Sequence, residues 1–255
     1  MHDVTRVAFI GGIYSNYWAL RATLDDIRRR AVDATWFLGD LGAFGPHPDR
    51  VPELLIERGI PGIQGNYEES LSTRANDCHC GYTDPRDNHY AQISYDYTFE
   101  KTSDALKDWM GTLPREVRFD DFHLVHGSPR KINEFLWRST SPDPFLEKLT
   151  DARVLVCTHT GLHWHRQLPS GKHVVNAGVI GRPANDGRTN VWYTIVEAGD
   201  DVRVEFVPVE YDHHRLAAEM RRERLPEEFI ETIETGWWTT CLEILPAKER
   251  MGSHL

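Results

Sequence analysis

The stretch VAFIGGIYSNYWAL, Val7 to Leu20, runs from an apolar, β-branched segment through Gly11-Gly12 into a segment carrying apolar residues at Trp18, Leu20, Leu24 and Ile27. The first part reads as a buried strand. The second reads as an amphipathic helix, because the apolar spacing changes to about 3.6 residues. A strand, a glycine turn and a helix start are also how a phosphate-cradling nucleotide loop begins. Here the dinucleotide fingerprint G-x-G-x-x-G is not matched, since Ser15 stands where a further glycine is needed.

Working outward, short β-branched or aromatic runs recur at about 6–10, 35–38, 62–64, 123–125, 154–157, 174–176, 191–196 and 202–208, each read as a strand. Helical patterns lie between the early ones, at 17–30, 50–58, 103–110 and 144–149. Alternation of strand and helix to about residue 150, followed by a strand-rich part, predicts a layered α/β architecture. The polar, turn-rich stretch STRANDCHCGYTDPRDN, 72–88, reads as an excursion or lid, and 212–255 as two helices and a tail packed on the body. With no internal repeat and no linker, the whole of 1–255 is expected to form one domain.

The chemistry sits where the strands stop. WFLGD ends in Asp40, IQGN in Asn66, HLVHG carries His126 and LVCTHT carries His159. Polar residues that each terminate an apolar run gather at the C-terminal edge of a mostly parallel sheet, where open α/β folds bind their ligands. One carboxylate, one amide oxygen and two imidazoles form a mixed N/O donor set. Such a set suits one borderline divalent transition metal, Mn, Fe, Zn, Co or Ni, better than a thiolate-seeking ion.

These motifs, GDLGAFGPHP at 39–48, GNYEES at 65–70, VHGSPRKINEF at 125–135 and VCTHTGLHWHRQLPSGKHVVNAGVIGRP at 156–183, resemble in order those of the calcineurin-like metallophosphoesterase family. The resemblance covers nearly the whole chain and is nearest to a small bacterial phosphodiesterase-like branch, whose DCxC insert and NAGxxGRP turn are both present. It implies an α/β sandwich of two mixed β-sheets flanked by helices. It also implies a hydrolase of phosphate mono- or diesters, with two metal ions bridged by the residue matching Asp40. One ion would be held by Asn66, His126 and His159, and the other by an aspartate and a histidine of the first motif and a final histidine.

Those last three are absent. The first motif reads GGIYSN, with Gly12 at the aspartate, Tyr14 at the histidine and Asn16 retained, and Gly161 replaces the final histidine. The losses fall on one metal site and leave the ligands of the other, which points to a single-metal centre acting on a small phosphorylated or nucleotide-like molecule. The alternatives are a protein that binds such a ligand without hydrolysing it, or one that catalyses a non-hydrolytic reaction such as an elimination. Around the centre the candidate residues are Tyr14, as ligand, hydrogen-bond donor or space-filler; Asn16, kept from the first motif; Tyr67, where the family often has the histidine that protonates the leaving group; Arg130, with Lys131, as a phosphate contact or a solvated turn; Arg182 with the same two readings; and His163, which a loop shift would bring inward. A second histidine nearby, His165, needs no special role.

With a net charge of −10 and no long basic run, neither nucleic acid nor an anionic membrane is an expected partner. No apolar run approaches the ~20 residues of a membrane span and no secretion signal is read at the start, so a cytoplasmic location is expected. The four cysteines suggest no disulfide framework. The Cys78-His79-Cys80 triplet is read as part of the lid rather than as a zinc site, which needs four ligands. Adjacent Trp237 and Trp238 are expected to anchor the C-terminal segment or to form a homo-oligomer contact.

Overall fold

In the computed structural model the described residues are 5–250, so the last five residues of the expected C-terminal tail lie outside them. Two mixed sheets carry the architecture. One has the order β2-β1-β8-β9, built from Thr5–Ile10 (β1), Ala34–Phe37 (β2), Val191–Ala198 (β8) and Val202–Val209 (β9). The other runs β3-β4-β5-β7-β6, from Glu116–Phe119 (β3), Phe122–Val125 (β4), Val154–Cys157 (β5), His163–Gln167 (β6) and His173–Ala177 (β7). The pairs β1–β2, β4–β5 and β5–β7 are parallel, and the remaining pairs are antiparallel.

Strand alternation sorts the side chains into layers. Val7 and Phe9 of β1, Phe122 and Leu124 of β4, Val154 and Val156 of β5, and Val175 and Ala177 of β7 fill the space between the sheets. Residues one step away, Ala8 and Ile10, face a larger core shared with the helices. Leu155, Cys157 and Val174 face a third, outer core. The helices of the larger core include Tyr17–Ile27 (α1), Arg50–Glu57 (α2), His213–Arg222 (α7) and Glu227–Thr235 (α8). Among the described residues no helix is long and apolar enough to cross a membrane.

Five elements depart from the pattern read in the sequence. The expected strand at 62–64 is only one bridge, Phe37 to Gly62, because Pro61 precedes it and the next helix begins at Asn66. That helix, Asn66–Thr73 (α3), and the long helix Pro85–Lys101 (α4) take the two ends of the expected excursion, and its middle, 74–84, is irregular. The start of α4 is chemically well marked: Pro85 opens it, and the Asp84 carboxylate accepts the amides of Arg86 and Asp87. Its buried stripe, Asp87, Ala91, Ser94, Tyr95 and Thr98, is helical in spacing but not aliphatic, so a search for apolar periodicity passes over it. The remaining helices, Asp104–Met110 (α5), Asp143–Leu146 (α6) and Ala247–Arg250 (α9), are short. Strands β3 and β6 are edge strands with only one face against the core, which weakens their apolar signal.

On the cysteines, the expectation of no disulfide is corrected: Cys78 and Cys80 are bonded to each other, so neither sulfur is a zinc ligand, and Cys157 and Cys241 are buried thiols.

The edge pair β6–β7 stacks two imidazoles, with His165 Nε2 2.8 Å from His173 Nδ1. Burial, reinforced by His173, pulls His165 down to about 4, and burial together with Arg153 lowers His173. A histidine whose folded-state pKa lies below its unfolded value binds fewer protons in the native state. Its favourable neutral form is therefore fully available above about pH 6.5, and stability falls as the pH drops from there towards about 4. Thermal melts between pH 7 and pH 4.5 are expected to show this loss, and His165→Asn to flatten it. A slope unchanged in the variant would assign the acid sensitivity elsewhere.

Candidate metal centre

The C-terminal ends of β2, β4 and β5 converge on one point, bringing in strand-end residues from both sheets. Asp40 lies three residues beyond β2, His126 directly follows β4 and His159 lies two beyond β5. One ligand atom from each lies within 4.8 Å of those of the others. His126 Nε2 is 3.3 Å from Asp40 Oδ2 and 3.0 Å from His159 Nδ1. All three residues are buried.

The tautomer of His126 follows from its other nitrogen. Nδ1 lies 2.7 Å from the backbone carbonyl of Leu38, which can only accept, so Nδ1 carries a hydrogen and Nε2 is left to face the cluster. Burial favours the neutral ring, but the Asp40 carboxylate outweighs it and raises the affinity of His126 for a proton. Asp40 shows the reciprocal effect: burial opposes its charge, yet His126 and His159, with the Tyr67 amide 3.2 Å from Oδ1, hold it below the usual carboxylate range. Burial and the neighbouring His126 press His159 down to about 3, so it is a neutral base. A carboxylate and a neutral imidazole facing a second imidazole form a site that attracts positive charge.

Asn66 opens α3 from the adjoining turn, and its flanking residues both meet Asp40: Tyr67 through its amide, and Gly65 so closely that a Cβ there would lie 2.5 Å from Asp40 Oδ1. The Asn66 amide donates Nδ2 to the carbonyl of Cys78 at 2.9 Å. Its Oδ1 is buried without a hydrogen-bond partner among the described residues. A buried acceptor left unpaired costs about 1–3 kcal/mol, and a cation held with Asp40, His126 and His159 would remove that cost. The donor chemistry and the orphaned oxygen therefore fit one divalent ion.

The loops that carry these ligands are held in unfavourable backbone conformations. Asp40 and His159 have φ of 55° and 69°, and Tyr14 and Ser15 of 51° and 53°. Non-glycine residues in this region cost energy and persist only where the surroundings fix them. Glu68, not singled out in the sequence, does so for the Asp40 loop. Its buried carboxylate accepts the amides of Asp40 (2.7 Å), Leu41 (2.8 Å) and Gly65 (2.7 Å). Burial and the Asp40 charge raise it to about 7, against those amides. Asn176 performs the same task for the His159 loop: Nδ2 donates to the Thr158 carbonyl and to Thr160 Oγ1, and Oδ1 accepts the Gly178 amide. The signal for both was a polar residue inside a motif already quoted, but their function depends on backbone groups far away in sequence.

The remaining candidates are placed as follows. Asn16 caps α1, accepting the Ala19 amide, and donates Nδ2 to the carbonyl of Gly181. The Tyr67 hydroxyl turns towards Ser94 of α4, 3.0 Å away, and burial raises its pKa well above that of a free phenol. Arg130 is exposed, 3.6 Å from Glu134, with its guanidinium over Phe145. His163 is not brought inward: on β6 it alternates with Trp164, and its ring packs between Trp192 and Phe206, at 4.7 Å from each.

The positions that the resemblance would assign to ligands of a second ion are closely packed. An added Cβ at Gly12 would lie 2.5 Å from the ring of Tyr14, and one at Gly161 would lie 2.7 Å from the indole of Trp238 and 3.3 Å from the guanidinium of Arg182. Burial keeps the Tyr14 phenol protonated, despite an opposing pull from Arg182. Gly12, Tyr14 and Gly161 therefore do not fit a second ion. Gly11 has its own reason, since a side chain there would run into the Gly178 carbonyl.

No family model matches the chain. An uncharacterised protein of Methanocaldococcus jannaschii is 23% identical over 248 residues, covering 90% of this chain and 98% of that one. Among solved structures, a metallophosphoesterase from Sphaerobacter thermophilus superposes with a TM-score of 0.71 at 24% identity, over 91% of this chain and 99% of the other. A hypothetical protein from Pyrococcus horikoshii gives a TM-score of 0.76 at 22% identity, over 92% and 100%.

Replacing the Glu68 carboxylate by an amide sets an N–H donor against backbone N–H groups. Glu68→Gln is expected to lower unfolding stability by about 2–3 kcal/mol in urea melts. It is also expected to weaken uptake of Mn²⁺ measured by calorimetry. A variant as stable as the parent would show that the carboxylate does not hold the loop.

Proposed function

We propose that this chain, which has the fold of the calcineurin-like metallophosphoesterases, is a hydrolase of a small phosphate mono- or diester working with one divalent transition metal. The observation that carries the reading is an asymmetry: one set of ligands is intact and preorganised, with an orphaned Asn66 oxygen, while the other set is replaced by packed rings and glycines. Decay without function would spare neither set in particular, nor would it retain strained backbone at Asp40 and His159.

Asp40, Asn66, His126 and His159 would hold the ion, which when bound supplies Lewis acidity towards a phosphoryl oxygen and towards water. The chain itself does the positioning. Leu38 holds the His126 ring through Nδ1, so that Nε2 stays directed at the cluster. Glu68 fixes the Asp40 turn and Asn176 the His159 turn, so that little rearrangement is left for the moment of binding. Burial of the ligands strengthens their interactions with charge by excluding water. The Tyr67 hydroxyl is engaged by Ser94 and is a weak acid for a leaving group, which favours substrates that depart as stable anions.

The test is turnover of aryl phosphate mono- and diesters by protein purified without chelator, with metal content measured on the same sample. About one ion per chain and hydrolysis lost at least about a thousandfold in His126→Ala are expected, as for removal of an essential group. Metal bound without release of phosphate from any ester would instead support a ligand-binding role, and a product that keeps its phosphate would support an elimination.

A further inference from the structure

A buried cation beside the His159 loop is left unused by the mechanism above. Arg182 is 6% exposed, its Nε has no hydrogen-bond partner, and no carboxylate lies within salt-bridge distance of it among the described residues. Its guanidinium is instead stacked by rings: the central carbon is 3.4 Å from the Trp238 ring centroid, 5.0 Å from that of Phe44 and 5.8 Å from that of Tyr14. Aromatic faces attract a cation but do not neutralise it, whereas burying an unpaired ion is costly. Stacking also leaves the edge of the guanidinium, with its N–H groups, as the part that seeks acceptors.

The surrounding groups do not supply the missing negative charge. Tyr14, Tyr82 and Cys241 all border Arg182, and burial keeps each of them in its neutral form. Asp87 borders Cys241 as well but stands outside ion-pair distance of the arginine and accepts the Glu243 amide. Arg182 also lies against the loop that carries His159. One of its terminal nitrogens lies 3.3 Å from the Cβ position of Gly161, two residues after His159, and the Tyr14 hydroxyl feels both Arg182 and Asp40. A fixed positive charge thus occupies the side of the centre from which the second set of ligands is missing, and it lacks an anion.

We propose that Arg182 is a phosphate-binding residue: stacked by Trp238 and Phe44 next to the single metal site, its guanidinium takes phosphoryl oxygens of the substrate and supplies the positive charge that a second ion would otherwise bring. The C-terminal segment belongs to this site, since Trp238 holds the guanidinium in place and its own indole N–H is anchored 2.7 Å from the Pro183 carbonyl. The proposal rests on the single-metal phosphoesterase reading but makes a separate claim about binding.

The experiment is calorimetric titration of inorganic phosphate into Mn²⁺-loaded protein, comparing the parent, Arg182→Met and Arg182→Lys, with metal content measured on each. A guanidinium–phosphate contact predicts phosphate affinity about tenfold or more weaker in Arg182→Met, partly restored in Arg182→Lys, with metal content unchanged at about one per chain. Should Arg182→Met not fold, Arg182→Lys carries the test, because loss of the bidentate fork alone is expected to weaken phosphate severalfold. Phosphate affinity equal to the parent's in whichever variant folds would overturn the proposal, and so would two ions per chain in the parent. If the parent hydrolyses no ester while the variants still lose phosphate, the hydrolase reading fails and the arginine assignment stands. If hydrolysis depends on His126 but phosphate binding ignores position 182, the reverse holds.

Discussion

Much of the site depends on a single hydrogen bond between the two sheets, from His126 Nδ1–H to the carbonyl of Leu38. Leu38 directly follows β2 in one sheet and His126 directly follows β4 in the other. The bond therefore ties the C-terminal edges of the sheets together at the place where their polar residues meet. It also selects the tautomer, leaving Nε2 towards Asp40 and His159. A core of Val7, Phe9, Leu124 and Val156 sets the spacing of the sheets but is indifferent to sliding by a fraction of a residue. The imidazole is not indifferent, because a hydrogen bond requires its distance and direction.

The strained turns around that bond are supported from outside the strands. Positive φ at Asp40, Ala43 and Phe44 means that the loop after β2 cannot satisfy its own amides. Glu68 takes those of Asp40 and Leu41, Thr98 that of Ala43 and Ser94 that of Phe44. The polar stripe of α4 thus exists to serve a loop about fifty residues earlier in the chain. A buried helix face of serine and threonine would be a poor core by itself. Here its hydroxyls meet backbone groups that water cannot reach.

This division explains what could be read from the sequence. Asp40, His126 and His159 were legible because a polar residue ending an apolar run is a local signal, and three strands ended that way. Both sheets were legible in outline from β-branched runs with turn residues between them. The helix α4 and the work of Glu68 and Asn176 were not, because their partners are backbone amides and carbonyls, which leave no mark on residue type. That His163 stays away from the centre has a simpler reason. In an extended strand neighbouring side chains take opposite faces, so the register of Trp164 on the outer core sends His163 to the aromatic pair on the other side. The disulfide joining Cys78 to Cys80 was hidden by how rarely cysteines this close are bonded to each other.

The packing on the vacated side also bears on why the centre stays as it is. Gly12 and Gly181 are pressed against the ring of Tyr14, and Gly161 against Trp238 and Arg182. A carboxylate at 12 or an imidazole at 161 would drive new atoms to well inside van der Waals contact, so either would require the ring beside it to shift or shrink. Even with the ring reduced, a cation in that space would sit close to the Arg182 guanidinium, and like charges in a water-poor site repel strongly. Small residue, large ring and cation therefore depend on one another.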